Sequence, residues 1–301
     1  MTKPINSDLR VVVGVDTERT CLPSLGWAFA EAARRVTELE VVHAWTLPND
    51  VTPIGIPGPP LDAAPFEAQA KRVFDDAISR VPATLRDAVP VVNRIAVQDR
   101  PSKALLDASQ GADLLVVGSR GRGAVAGLLG SVSHQCVHHA SCPVAVVPPH
   151  WPPERIPARI VVGVDGSPQS ARALRWALDE AERCACAVVV VHSWYTPYPA
   201  EPWGMVIAPR DRDTFQKEAH ELIGDMVDLA VGDGAARPAS LTVMSIEDAS
   251  GPALVHTSEN ADLLVVGSRG RGGFAALLLG STSLHCLHHA KSPVVVVPAH
   301  G

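Results

Sequence analysis

The chain has 301 residues, 47% hydrophobic, 19% charged and 4% aromatic, with a net charge of −6. Residues 1–150 carry 14 Lys/Arg against 15 Asp/Glu and residues 151–301 carry 12 against 17, so neither half offers the basic surface that nucleic acid or an anionic membrane requires. The N-terminus MTKPINSDLR has no signal-like apolar core, no apolar run approaches the ~18 residues of a membrane span, and six scattered cysteines fit reduced thiols. A cytoplasmic protein of two domains is predicted.

The first predicted strand, Leu9–Val15, is a compact apolar run ending in Asp16, as suits an inner strand buried on both faces of a parallel sheet. A helix follows with Trp27, Ala30, Ala33 and Arg34, where Trp27 reads as core. The second strand, Glu40–Trp45, leads into a Pro- and Gly-rich segment at 46–61, long enough to cover a ligand. An amphipathic helix is predicted over 62–81, a strand near 89–97, a helix near 101–110 and a strand over Asp113–Val117. That strand runs into a glycine-rich loop closing on Gly130-Ser131, where a helix carrying His134, Cys136, His138 and His139 begins. Pro143–Val147 is the last strand.

The series then repeats. Gly14-Val15-Asp16 matches Gly163-Val164-Asp165, Trp27 matches Trp176, His43 matches His192, and Gly118 and Gly121 match Gly267 and Gly270, all at an offset of 149. Gly130-Ser131 matches Gly280-Ser281 at 150, so the first glycine loop is one residue shorter. The chain is read as a tandem duplication: domain 1 over residues 1–147, a semi-rigid Pro-rich linker over 148–158, and domain 2 over 159–301. In the second copy Ser167-Pro168 gives a helix start, an N-cap serine followed by proline. Trp176 again reads as core, and Cys184-Ala185-Cys186 reads as packing near the next strand. The Pro-rich segment recurs at 195–209, helices are predicted at 211–231 and 250–259, and strands at Ala187–Trp194, 239–246, Asp262–Val266 and Pro293–Val297. This alternation predicts the α/β class, with two tandem Rossmann-like domains, each an open parallel five-stranded sheet.

In such sheets ligands bind beyond the C-terminal strand ends, at the topological switch point. Asp16 and Gly118, like Asp165 and Gly267, fall at such ends. Glycines allow close backbone approach to a phosphate, and a helix N-terminus offers free N–H groups. The loop lacks the lysine of a P-loop, and it follows the fourth strand rather than the first, unlike the dinucleotide fingerprint. A carboxylate at the end of the first strand suits a ribose hydroxyl or an adenine amine, and faces phosphates only through Mg²⁺.

This pattern resembles the universal stress protein family, in its tandem-domain, ATP-binding branch. The resemblance rests on VVGVD at 12–16 and 161–165, on VVHAW and VVHSW around His43 and His192, and on G-x2-G-x9-G-S at 267–281. It implies phosphate contacts from Gly267, Arg269, Gly270, Gly280, Ser281 and Ser283, with Ser268, Arg271 and Gly272 in the same loop. Gly163 and Asp165 would border the nucleoside, and the main chain of Val191 would read the adenine edge. The first copy maps onto Gly14, Asp16, Val42, Gly118, Arg120, Gly121, Gly130, Ser131 and Ser133, with Arg122 and Gly123 alongside. It departs from the pattern in its x8 loop and in Thr17-Glu18, where the second copy has Gly166-Ser167. The resemblance further implies a stress-response regulator that binds ATP, with or without Mg²⁺, and acts on an unidentified protein partner. The final strands would pair edge to edge, between repeats or between chains in a homodimer.

Other candidates carry simpler readings. The histidine clusters are read as basic residues near helix C-termini rather than metal ligands, and His43 and His192 as hydrogen-bonded core histidines. No nucleophile–base pair stands out, so the chain is read as a nucleotide-binding regulator rather than a dedicated enzyme. The alternative is a slow ATPase or nucleotidyl-transfer enzyme on the same fold.

Overall fold

A computed structural model describes residues 9–17, 21–47, 62–119, 129–194, 212–232, 240–271 and 279–299. The chain divides into two compact units, Met1–Arg155 and Ile156–His300. In the first, the elements run β1 (Arg10–Gly14), α1 (Leu22–Arg35), β2 (Glu38–Trp45), α2 (Ala64–Ser79), α3 (Ala83–Arg86), β3 (Val92–Gln98), α4 (Pro101–Ala108), β4 (Leu114–Gly118), α5 (Ser131–His139) and β5 (Val144–Val147). In the second they run β6 (Arg159–Gly163), α6 (Pro168–Cys184), β7 (Ala187–Trp194), α7 (Arg212–Val231), β8 (Leu241–Glu247), α8 (Ser250–Thr257), β9 (Leu263–Gly267), α9 (Ser281–His289) and β10 (Val294–Val297).

Within the first unit the strands lie in the order β3-β2-β1-β4-β5, and within the second β8-β7-β6-β9-β10. Every pairing within a unit is parallel. The inner strands are apolar along their whole length because both faces are covered: Val11, Val12 and Val13 in β1 and Ile160, Val161 and Val162 in β6 have no exposed surface. Chain direction reverses its lateral progress at β1 and at β6, which places a switch point beside β4 and β9. The glycine loops leave from those two strands.

A buried carboxylate ties the N-terminal ends of the inner strands together. Asp262, ahead of β9, accepts from the N–H groups of Ala158 (2.7 Å) and Arg159 (2.9 Å) at the start of β6. In the first unit Asp113 accepts from Arg10 N–H at 2.6 Å. The first helices share an internal acid as well: Glu31 is fully buried and pairs with Arg34 and Arg35, and Glu180 is buried and pairs with Arg183 at 3.1 Å.

Several local expectations change. The short helix α3 is additional. Trp27 is buried, whereas Trp176 is only half-buried. Cys184 is the last residue of α6 and Ala185 its left-handed C-cap (φ 52°), so Cys184-Ala185-Cys186 terminates a helix, with Cys186 alone fully inside. The first half of the Pro-rich segment packs onto the first unit rather than spacing it: Trp151 is buried, Arg155 lies over its ring at 4.9 Å, and Pro153 stands where a Cβ on Gly26 would project. The Pro/Gly segments after β2 and β7 lie outside the described residues from 48 to 61 and from 195 to 211. Among the described residues no helix is long and apolar enough to cross a membrane.

Asp262→Ala leaves two backbone donors without their charged acceptor. It is expected to destabilise the second unit by about 3 kcal/mol, measured as a lowered midpoint in urea unfolding of the full chain.

Candidate functional site

The second glycine loop begins and ends on one residue. Ser268 N–H donates to Val297 O at 2.8 Å, and the Ser268 carbonyl accepts from Gly280 N–H at 2.7 Å. The first unit repeats this closure through Ser119, whose N–H donates to Val147 O (2.8 Å) and whose carbonyl accepts from Gly130 N–H (2.9 Å). Helix α9 then starts at Ser281 with Gly280 as an N-cap that supplies no side-chain acceptor. Its first intrahelical bond runs from Leu284 N–H to Gly280 O at 3.0 Å. The N–H groups of the first turn are therefore left for whatever occupies the space in front of them. Ser283 is buried and donates its hydroxyl to Gly267 O at 2.6 Å, as Ser133 does to Gly118 O at 2.5 Å, fixing each helix start against the strand end.

Across the crevice, Asp165 uses both carboxylate oxygens. Oδ1 accepts from Ser167 N–H at 2.9 Å and Oδ2 from Arg271 N–H at 2.8 Å, so the end of β6 is bonded to the glycine loop. The Arg271 guanidinium returns to donate to Gly166 O at 3.1 Å. Gly166 has φ +81°, and a Cβ there would stand 2.2 Å from Arg271 Nη2 and 2.8 Å from Leu222 Cδ1. Gly270 is equally constrained, since its Cβ would stand 2.2 Å from Asp165 Oδ2. Burial pushes the Asp165 carboxyl up. The bonds from the Ser167 hydroxyl and N–H, the Arg271 N–H and the Ser170 hydroxyl outweigh it and hold the group below the ordinary aspartate range.

These elements enclose a cleft of about 420 Å³. Of the residues singled out from the sequence, it is lined by Gly163, Asp165, Val191, Gly267, Arg269, Gly270, Arg271, Gly280, Ser281 and Ser283. Ser268 is a correction: it is buried and closes the loop through its main chain instead of facing the cleft. Gly272 lies outside the described residues. The carbonyl of Val191 already accepts from Val164 N–H at 2.9 Å, so its main chain is partly engaged within the sheet, as is Val42 by Val15 N–H at 2.9 Å. The cleft also contains Ser170, Ser193, Ser250, Leu254 and Thr282, which the motifs did not name. Ser193 lies two residues beyond Val191 and thus on the same face of β7, and its hydroxyl donates to Ser250 Oγ at 2.7 Å. Ser170 is reached from sequence only through the cap, where Ser167 Oγ accepts from Ser170 N–H at 3.2 Å.

His192 Nδ1 lies 2.8 Å from Val164 O and His43 Nδ1 lies 2.9 Å from Val15 O, so both are hydrogen-bonded beside the strand ends, His43 buried and His192 half-buried.

In the first unit only part of the predicted site lies among the described residues. Arg120, Gly121, Arg122 and Gly123 lie outside the described residues. Asp16 lines a separate cavity of about 170 Å³ with Thr17, Cys21, Leu22 and the α2 residues Gln69, Arg72, Asp76 and Arg80. None of Gly14, Val42, Gly118, Gly130, Ser131 or Ser133 lines that cavity, and the glycine loop from 120 to 128 lies outside the described residues. Thr17 replaces Gly166, and among the described residues it is not one of those with positive φ. Asp16 is therefore not followed by the left-handed residue that follows Asp165.

A model of the universal stress protein family matches residues 9–148 and again residues 158–298. The universal stress protein Rv2623 of Mycobacterium tuberculosis is 34% identical over 299 residues, covering 97% of each chain. The universal stress protein Rv2005c of the same organism is 34% identical over 306 residues, covering 98% of this chain and 99% of its own. A universal stress protein of Archaeoglobus fulgidus shares the fold at a TM-score of 0.63 and 20% identity, covering 98% of this chain and 97% of its own. The chain belongs to the universal stress protein family, with two copies of the family domain in tandem.

Because the folded-state pKa of Asp165 is lowered, its clamp contributes fully above the unfolded aspartate value of about 3.9 and is lost as pH falls through the folded value. The stability difference between wild type and Asp165→Asn is therefore expected to be largest near neutral pH and to close below about pH 4, measured by urea unfolding across a pH series.

Proposed function

We propose that this chain is a universal stress protein that binds ATP, and that nucleotide occupancy sets a conformation read by a partner protein in the stress response. The observation that carries this reading is the composition of the second-unit cleft. One space holds two arginines, an uncapped helix N-terminus, a glycine-lined floor and a carboxylate at the opposite strand end. Its volume of about 420 Å³ falls in the range of small-molecule sites.

Triphosphate oxygens would meet Arg269, Arg271 and the N–H groups of Ser281, Thr282 and Ser283. The charge of the arginines and the orientation of the helix N-terminus both favour an anion there. The nucleoside would extend towards β7 and α8, where Val191 and Leu254 supply apolar surface and the Ser193–Ser250 hydroxyls supply polar contacts. Asp165 keeps unused lone pairs on both oxygens for a ribose hydroxyl or an adenine amine. If Mg²⁺ accompanies the nucleotide, Asp165 is the carboxylate among the described lining residues that is available to it, and phosphate oxygens and water would complete the shell. In the first unit Gly14, Asp16, Val42, Gly118, Gly130, Ser131 and Ser133 would form a second and weaker site with the loop around Arg120 and Gly121. The same reading takes the chain as a homodimer joined through final strands.

We assign no catalytic residue. Among the described residues no lysine, histidine or second carboxylate lines the second cleft, so it offers positioning and charge without an evident base to activate water.

Denaturing the purified protein and separating the released small molecules by chromatography is expected to yield adenine nucleotide. Its absence both there and in direct ATP titrations would refute the reading. Labelled ATP is expected to stay intact through long incubation; turnover beyond one equivalent per site, lost in Asp165→Ala, would instead identify an enzyme.

A further inference from the structure

Two histidine pairs stand apart from the cleft. In α5 the rings of His134 and His138 are stacked, with centroids 4.2 Å apart and planes at 29°. In α9 the rings of His285 and His289 lie 4.4 Å apart at 40°. Each pair is spaced i, i+4, one turn apart on a single helix face. The two pairs are not copies of one another. The offset of 150 that carries Gly130 to Gly280 carries His134 to Leu284 and His138 to His288. The second pair is therefore built one position further along its helix, and the same spacing and ring contact arise twice from different residues.

Burial first, and the neighbouring histidines second, push His138 and His285 below the usual histidine range. Among the described residues no hydrogen bond claims any of the four rings. His285 is also held in place from behind, since a Cβ on Gly251 of α8 would stand 2.7 Å from its ring.

We propose that His134 with His138, and His285 with His289, form two bidentate imidazole sites for a divalent transition metal, with Cu²⁺ and Ni²⁺ preferred over Zn²⁺. Imidazole nitrogen suits these ions, whereas Mg²⁺ and Ca²⁺ require oxygen ligands. No group of three or more His, Cys, Asp or Glu converges among the described residues, so the closed tetrahedral set of a structural zinc site is not built. Two imidazoles one helical turn apart, turned so that one nitrogen of each meets the metal and with water in the remaining positions, would match the tetragonal preference of Cu²⁺ and Ni²⁺, and the order of intrinsic affinities also places Cu²⁺ first. The pairs begin one turn into their helices, at His134 and His285, whereas the cleft residues of α9 are Ser281, Thr282 and Ser283 of its first turn, so metal and nucleotide sites involve different residues.

The test is calorimetric titration of the full-length chain with Cu²⁺, Ni²⁺ and Zn²⁺ in turn, alongside His134→Ala, His285→Ala and the double variant, each checked by thermal melting without metal. Two equivalents are expected in the wild type, one in each single variant and none in the double. The Cu²⁺ electron paramagnetic resonance spectrum should report two nitrogen ligands per copper. Metal retained at full stoichiometry by the double variant, a single nitrogen per copper, or tighter binding of Zn²⁺ than Cu²⁺ would overturn the proposal. His134→Gln, which keeps the size and polarity of the side chain, should lose the first site as fully as His134→Ala. If it keeps that site, the assignment fails.

Discussion

The carboxylate of Asp165 bonds the end of β6 to the glycine loop, and most of the second cleft depends on that bridge. One oxygen holds the Ser167 N–H at the start of α6 and the other holds the Arg271 N–H. The bridge is possible because β6 and β9 are paired neighbours, with Val161 beside Leu264, so their C-terminal ends emerge side by side. It requires glycine at 166, where the backbone is left-handed and Arg271 fills the space beside it, and glycine at 270, where Asp165 approaches the loop. Loop closure through Ser268 then returns the chain to the N-terminus of α9. A carboxylate, two cations and a set of free N–H groups end up facing one cavity because the strand order places them there.

The sequence around this bridge is not repeated in the first unit. The loop closure through Ser119 and the strand-end bond from Ser133 are kept almost unchanged in the first unit. At the opposite wall, Thr17, Glu18 and Cys21 stand where the second unit has Gly166, Ser167 and Ser170. The Cys21 thiol turns to Asp16 O at 3.7 Å, whereas Ser170 Oγ accepts from Asp165 N–H at 3.2 Å. Ala44 and Pro101 likewise occupy the positions of Ser193 and Ser250, which removes that hydroxyl pair. The two units thus share the closure of the glycine loop and differ in the residues of the opposite wall.

Much of this was legible in the sequence, for identifiable reasons. Apolar runs such as Val11–Val13 and Val294–Val297 specify buried parallel strands, and a constant 149-residue offset exposes the repeat without any structural input. The cap at Ser167-Pro168 appears as read, with Ser167 accepting from Ser170 N–H. What escaped depends on contacts distant in the chain or on side-chain direction. Ser268 looks like a loop residue by its neighbours but is turned inwards by two main-chain bonds. Ser193 and Ser250 are 57 positions apart and meet only because β7 and α8 end at the same crevice. The histidine runs show their i, i+4 spacing in sequence, but the ring contact that distinguishes a pair from a cluster of cations is visible only in the fold.

The central claim, that the bridged cleft of the second unit is the principal adenine-nucleotide site, is tested most directly by calorimetric titration of ATP into the wild type, Gly270→Glu and Gly121→Glu. A glutamate at 270 would drive a side chain and a negative charge into Asp165 Oδ2, which lies 2.2 Å from where its Cβ would stand. The account predicts that Gly270→Glu removes the tighter binding event, with at least a hundredfold loss of affinity (about 2.7 kcal/mol or more), while Gly121→Glu leaves that event in place. Equal ATP affinity and stoichiometry in the wild type and a folded Gly270→Glu variant would contradict it.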